Sequence, residues 1–281
     1  MTTANPTQSN TRERNPIASI VRVLDAMVES EASSFGVREL ARTLEAAPSS
    51  VQRTLEAGAA ASLVSSSASG QWELGWELYR IASLAQRKRP FLAVAELLDE
   101  LSSLTGETAF LAVYDHQRRE RMYVAASPSR RSVQFVPQLF TWLPLHATAS
   151  AMAILAHRPE EERRDLYREG LPVFAGPRQT APKFERLMTS IRSEGYALSR
   201  DQADVGASAI AAPVWSAGTV QGSVGVAVPN QRFDKAAAAE LTVQVTVAAD
   251  RGAYVKYNIF SGDAKAGAGL DALARDLGLG E

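Results

Sequence analysis

The chain has 281 residues, 46% of them apolar and 22% charged, with a formal net charge of -1. This is the composition of a globular protein long enough for one small domain and one of ordinary size. It contains no cysteine, which excludes disulfide frameworks, thiolate metal sites and cysteine nucleophiles. The three histidines, His116, His146 and His157, lack the H-x-x-x-H spacing of a helical metal site, so neither a metal nor a cofactor is expected. No apolar run approaches the roughly 18 residues of a membrane span. Residues 1–15 are polar and lack the apolar centre of a signal peptide; they are expected to be disordered, in a cytoplasmic protein without membrane contact.

Behind Pro16, the residues Ile17, Ile20, Val21, Leu24 and Val28 follow the helical repeat and predict a first helix with all five in the core. Glu29 to Gly36 reads as a loop, with Gly36 able to cap the next helix and Glu39 in its first turn. In that helix Val37, Leu40, Ala41 and Leu44 fall at i, i+3, i+4 and i+7. A further helix opens at Pro48, buries Val51 and Leu55, and turns Ser49, Ser50, Gln52 and Arg53 outward. Those side chains carry the groups that read base edges and phosphates. Leu63 to Ser65 and Gln71 to Leu74 predict two short strands around a polar turn. Two helices at a steep angle followed by a hairpin describe a winged helix-turn-helix over residues 16–76. Net charge lends this no support. Residues 1–88 hold nine Arg or Lys and nine Asp or Glu, so any basic patch depends on how Arg38, Arg42, Arg53, Arg80, Arg87 and Lys88 are distributed.

Glu39–Leu40–Ala41, Ser49–Ser50–Val51–Gln52–Arg53 and Gly70–Gln71–Trp72–Glu73–Leu74–Gly75 together resemble the IclR family of bacterial transcription regulators. The resemblance implies a DNA-binding domain, a linker helix and a C-terminal effector-binding domain, with the third helix in the major groove and the wing against the backbone or minor groove. Ser49, Ser50, Gln52 and Arg53 match the positions that contact DNA. Arg38, Thr54 and Gln71 complete the candidate set. Arg53 suits guanine, Gln52 adenine and a serine a phosphate. Pro48 stands where a lysine is frequent, which removes one phosphate contact.

Trp76 to Lys88 is again helical, with Leu78, Ile81, Ala82 and Ala85 on one stripe; the linker helix is taken as residues 77–89, ended by Pro90. The effector-binding domain is expected over residues 90–261. It begins with a helix from Phe91 to Leu104, then strands over Thr108 to Tyr114 and Arg121 to Ala126. Leu143 to Ala149 leads into a small-residue helix ending at Ala156, Pro159 opens another, and Thr180 can cap a third that ends at Gly195. Two strands bracket Ala217–Gly218, a helix runs from Asp234 to about Tyr257, and residues 262–281 form a flexible tail. Leu143 to Ala149, Glu194 to Leu198 and Gly206 to Val214 are further matches to the family. The expected class is α+β, with a mixed or antiparallel sheet flanked by helices and resembling a GAF-like effector domain.

No G-x-S-x-G elbow, Walker loop or dinucleotide fingerprint is present, so no catalytic residue is assigned and an enzyme is not expected. The resemblance puts Ser199 and Ala209 where an aspartate and a cysteine usually line the effector cavity, and Gly225 and Ala227 where serines are frequent. Ala149 and Ser150 fall at its mouth, and Ser132, Phe135, Phe140 and Trp142 come from the preceding apolar segment. Together these imply a roomy, apolar cavity and an aromatic or otherwise hydrophobic effector rather than a glyoxylate-sized acid. The expected protein is a ligand-responsive repressor, in preference to an activator, binding a pseudo-palindromic double-stranded DNA operator as a homodimer or tetramer. The alternative is a small-molecule-binding module whose winged helix makes protein contacts.

Overall fold

The computed structural model describes residues 15–249 except 89–91, 176–178, 217, 235–236, 243 and 247, and the chain divides into two units, residues 1–89 and 90–281. The expectations for residues 1–14, the break at Pro90, the tail 262–281 and the closing helix beyond 249 lie outside the described residues.

In the first unit, Asn15 starts helix α1 (Pro16–Glu29). Its side-chain oxygen accepts the N–H groups of Ile17 at 3.0 Å and Ala18 at 3.4 Å, two donors that a first helical turn leaves unmet. The expected core stripe of this helix needs correction. Ile20 and Leu24 are half-buried, but Ile17, Val21 and Val28 are 73%, 39% and 65% exposed. Val23 and Met27 fill the core instead. The helix is apolar on more than one side, and the 3.6-residue period alone does not say which side the unit covers. Helix α2 (Val37–Thr43) is capped as expected, the N–H of Gly36 donating to Glu39 Oε2 at 3.3 Å. Helix α3 (Pro48–Ala60) opens on Pro48 and buries Val51, Leu55 and Gly58. Strands β1 (Val64–Ser66) and β2 (Trp72–Leu74) pair antiparallel. Phe35 and Trp72 exchange both backbone hydrogen bonds at 2.8 Å, which ties the wing to the loop before α2. Helix α4 (Trp76–Lys88) follows.

The second unit begins with α5 (Leu92–Thr105), then β3 (Thr108–Asp115), β4 (Glu120–Ser127) and β5 (Trp142–Pro144). Helices α6 (Ala149–Leu155), α7 (Glu160–Arg168) and α8 (Ala181–Glu194) precede β6 (Ala197–Arg200), β7 (Ala207–Ser216) and β8 (Thr219–Pro229). Thr180 occupies the cap position of α8 without lending its hydroxyl, and Pro182 removes one donor from that first turn. The sheet order is β5-β4-β3-β8-β7-β6, with every neighbour antiparallel, so the class is α+β. Side-chain alternation gives the sheet two unlike faces. Leu111, Val124, Ile210, Val214, Val224, Val226 and Val228 pack against Leu97, Leu98 and Leu101 of α5 and against Leu241 and Val245. The other face carries Phe110, Ala112, Tyr123, Ala211 and Ala227 beneath α6, α7 and α8.

Gly75, between β2 and α4, is fixed by close approach: a Cβ there would overlap the carbonyl oxygen of Ser62. Gly75→Ala should therefore destabilise the first unit by about 2 kcal/mol or more. Urea denaturation followed by circular dichroism measures this, and an unchanged midpoint would contradict the packing.

Candidate functional site

The first unit offers one face of α3. Ser49, Ser50 and Arg53 are exposed, and Arg38 on α2 is exposed as well. Arg38 and Arg53 have no carboxylate within ion-pair distance among the described residues, unlike Arg80, whose guanidinium is held by Glu77 at 2.8 Å. Arg53 Nε donates only to the backbone oxygen of Ser49, at 3.3 Å. Gln52 and Thr54 are half-buried and engaged within the helix. Gln52 Nε2 donates to Glu56 Oε1 at 2.7 Å, and Thr54 Oγ1 donates to the backbone oxygen of Ser50 at 3.0 Å. Gln71 is half-buried at the start of the wing, its N–H donating to Ser67 Oγ at 3.2 Å. Ser49, Ser50, Arg53 and Arg38 are thus free to meet a partner, whereas Gln52 and Thr54 would first have to leave local bonds.

The second unit encloses a cavity of about 360 Å³ on its small-residue face. Five of the candidate effector residues, Phe135, Ser150, Ser199, Ala209 and Ala227, line it. The other five do not. Ser132 is exposed, and Phe140, at φ 58°, turns its ring outward to 67% exposure. Trp142 pairs with Met122 at the sheet edge beneath the guanidinium of Arg118, 5.1 Å from its ring. Ala149 is fully buried, and its N–H donates to Ser199 Oγ at 2.9 Å. Gly225 is a packing position, because a Cβ would overlap the carbonyl oxygen of Ile210 and meet Phe110 Cζ at 2.8 Å. Its lack of a side chain lets the Phe110 ring lie close to the sheet.

Leu143, His146 and Thr148, from the segment that the resemblance puts at the mouth of the pocket, line the cavity, and sequence reasoning missed Phe110, Arg121 and Tyr123, which line it too. The signal was available in part. Arg121 and Tyr123 alternate on β4, so an arginine two places from an inward aromatic points to the same face. The lining is consequently amphipathic rather than apolar. Thr148, Ser150, Ser199 and Ser208 are buried, and their hydroxyls are engaged. Thr148 and Ser150 bond each other at 3.2 Å, Ser199 accepts from Ala149, and Ser208 donates to Asn230 Oδ1. The turn at the cavity's far side is fixed by Asp201, which accepts from Gly206 N–H and Asn230 Nδ2, each at 2.7 Å; these bonds hold its carboxyl below the usual range.

A winged helix-turn-helix unit joined in one chain to an α+β unit that encloses a cavity defines the helix-turn-helix class of transcription regulators. The chain belongs to the IclR family of bacterial transcriptional regulators, because residues 87–252 match the model of the IclR C-terminal domain. It is 29% identical to the HTH-type transcriptional regulator BhcR of Paracoccus denitrificans over 83% of this chain and 85% of that one. It is 26% identical to the HTH-type transcriptional repressor AllR of Salmonella typhimurium, over 73% and 77%. In fold it is similar to an IclR homologue from Microbacterium hydrocarbonoxydans crystallised with 4-hydroxybenzoate. That structure has a TM-score of 0.69 and 21% identity, covering 86% of this chain and all of that one. No helix among the described residues is long and apolar enough to cross a membrane.

Two histidines of this unit resist protonation. Burial pushes His146 down, the nearby charge of Arg121 adding to this and Asp204 opposing it. Burial likewise lowers His157, with Arg192 and Arg163 contributing. The unfolded chain takes up these protons near pH 6.5, where the folded chain does not. Stability is therefore full above that value and declines as pH falls below it. The double variant His146→Gln, His157→Gln should lose less melting temperature than the wild type between about pH 7 and 5.5. Equal losses would contradict the burial of both rings.

Proposed function

We propose that this chain is a ligand-responsive repressor that reads a pseudo-palindromic operator with α3 and takes a small effector in the cavity of its second unit. The observation that carries the reading is the exposed face of Ser49, Ser50 and Arg53 beside a wing, in a chain whose other unit holds a cavity of about 360 Å³. That volume suits a ring-sized molecule rather than a two-carbon acid. The relative crystallised with 4-hydroxybenzoate and the relative named a repressor support an effector of this size and a repressing role. Ile17 and Val28 on α1, with Trp76, Tyr79, Ile81 and Leu84 on α4, are large apolar side chains left exposed by the first unit. They support a homodimer, or a pair of dimers, in which a second copy covers them. An effector changes DNA affinity only by binding the DNA-competent and incompetent arrangements unequally. Helix α4, which closes the first unit, is the proposed coupling element.

A gel shift on the promoter region beside the protein's own gene tests this reading. Arg53→Ala should weaken binding by roughly 1–3 kcal/mol, about five- to a hundredfold, and the wild-type affinity should fall steeply with salt. Equal binding by the variant would remove α3 from the interface. Failure of the wild type to bind any such fragment would favour protein contacts by the winged helix.

A further inference from the structure

Four side chains of α3 share one stripe. Ser49, Gln52, Arg53 and Glu56 fall at i, i+3, i+4 and i+7, on the side away from the buried Val51, Leu55 and Gly58. This is the spacing at which a helix lying along the major groove presents its base-reading residues. Glu56 is the member that sequence reasoning passed over. It is exposed, and no cation lies within ion-pair distance of it among the described residues. Arg53 stands three residues away, the separation at which Glu77 and Arg80 form an ion pair. Yet Arg53 turns to the backbone oxygen of Ser49, and Glu56 accepts from Gln52 instead. An acid on a face offered to a polyanion weakens binding to every sequence alike. What can offset that cost is discrimination between sequences.

A carboxylate has no proton to give, so it can hold only the nitrogen edge of an amide. The 2.7 Å bond from Gln52 Nε2 to Glu56 Oε1 therefore settles which way the Gln52 amide faces, and directs its oxygen away from Glu56. To donate freely, Gln52 would have to leave this bond; to accept through Oε1 it does not. Joined in this way, the two side chains offer oxygens: Oε1 of Gln52 and Oε2 of Glu56. In the major groove the matching hydrogens lie on N4 of cytosine and N6 of adenine, whereas guanine and thymine present oxygen there. We propose that Glu56 is a positioning residue for DNA specificity: it fixes Gln52 as an acceptor, and the pair reads the exocyclic amino group of a cytosine or an adenine. This rests on the reading of α3 as the helix that enters the groove, and deepens it. A guanine or thymine at that place sets oxygen against oxygen and is rejected.

The test is selection of bound duplexes from a randomised library by the full chain, followed by gel shifts in which each base pair of the selected site is replaced in turn. At one position in each half-site the wild type should prefer cytosine or adenine by roughly five- to a hundredfold. Gln52→Ala and Glu56→Ala should each erase the preference at that same position and leave the other positions as they were. Glu56→Gln should keep most of it, because its amide oxygen still accepts from Gln52 Nε2. Both Glu56 variants should bind random duplex roughly two- to fivefold more tightly than the wild type, since one negative charge has left the interface. A preference that survives Glu56→Ala, or a loss spread equally over all positions, would overturn the role of Glu56 while leaving α3 in the groove. A wild-type chain that selects no sequence would overturn the placing of α3, and Glu56 with it.

Discussion

The unequal faces of the six-stranded sheet determine what the second unit can do. On one face the branched residues of β7 and β8, Ile210, Val214, Val224, Val226 and Val228, meet α5 and Leu241, Val245, Ala248 and Ala249 and leave no room. On the other, the same strands present Ala209, Ala211, Ser223, Gly225 and Ala227. Helix α6 covers part of this face, and Ser223 Oγ donates to the backbone oxygen of Ser150 at 3.0 Å. The remainder stays hollow because small side chains cannot fill the space between sheet and covering segments. A strand places one set of side chains on each face, so a single stretch of sequence builds both a dense core and a cavity.

The roof of that cavity depends on charge. Glu107, buried at 4% exposure, accepts from Nε and Nη2 of Arg232, each at 2.7 Å, and lies 3.5 Å from Arg131. Arg232 also donates to the backbone oxygen of Val133, and Thr108 Oγ1 donates to that of Phe135. One buried carboxylate thereby anchors the segment that delivers Phe135 to the cavity. Removing it would leave arginines unmatched beside the roof, a larger cost than the net value of the pair.

Much of this was legible in the sequence. The capping of α2 by Gly36 and Glu39, the opening of α3 at Pro48 and the terminator Gly195 rest on local chemistry, and each is found where it was expected. The unequal sheet and the exposed side of α1 were not legible, since both are decided by what packs from elsewhere. Periodicity identified Ile17, Val21 and Val28 as a stripe without distinguishing the unit's own core from surface left bare. Phe140 and Trp142 belong to the same apolar segment as Phe135 and on that ground are expected at the cavity. One left-handed residue and an edge-strand register turned them away. Arg121 was overlooked for the opposite reason, because a charged residue within a strand reads as a solvent-facing one.

Arg121 changes the character of the cavity wall. Ala209 and Ala227, taken alone, describe a cavity short of polar groups. With Arg121 in the wall, Ala209 and Ala227 provide volume, and the guanidinium with the engaged hydroxyls of Thr148, Ser150, Ser199 and Ser208 gives the same cavity a polar side. Apolar and polar groups then share one lining, and the small side chains decide how much space is left between them.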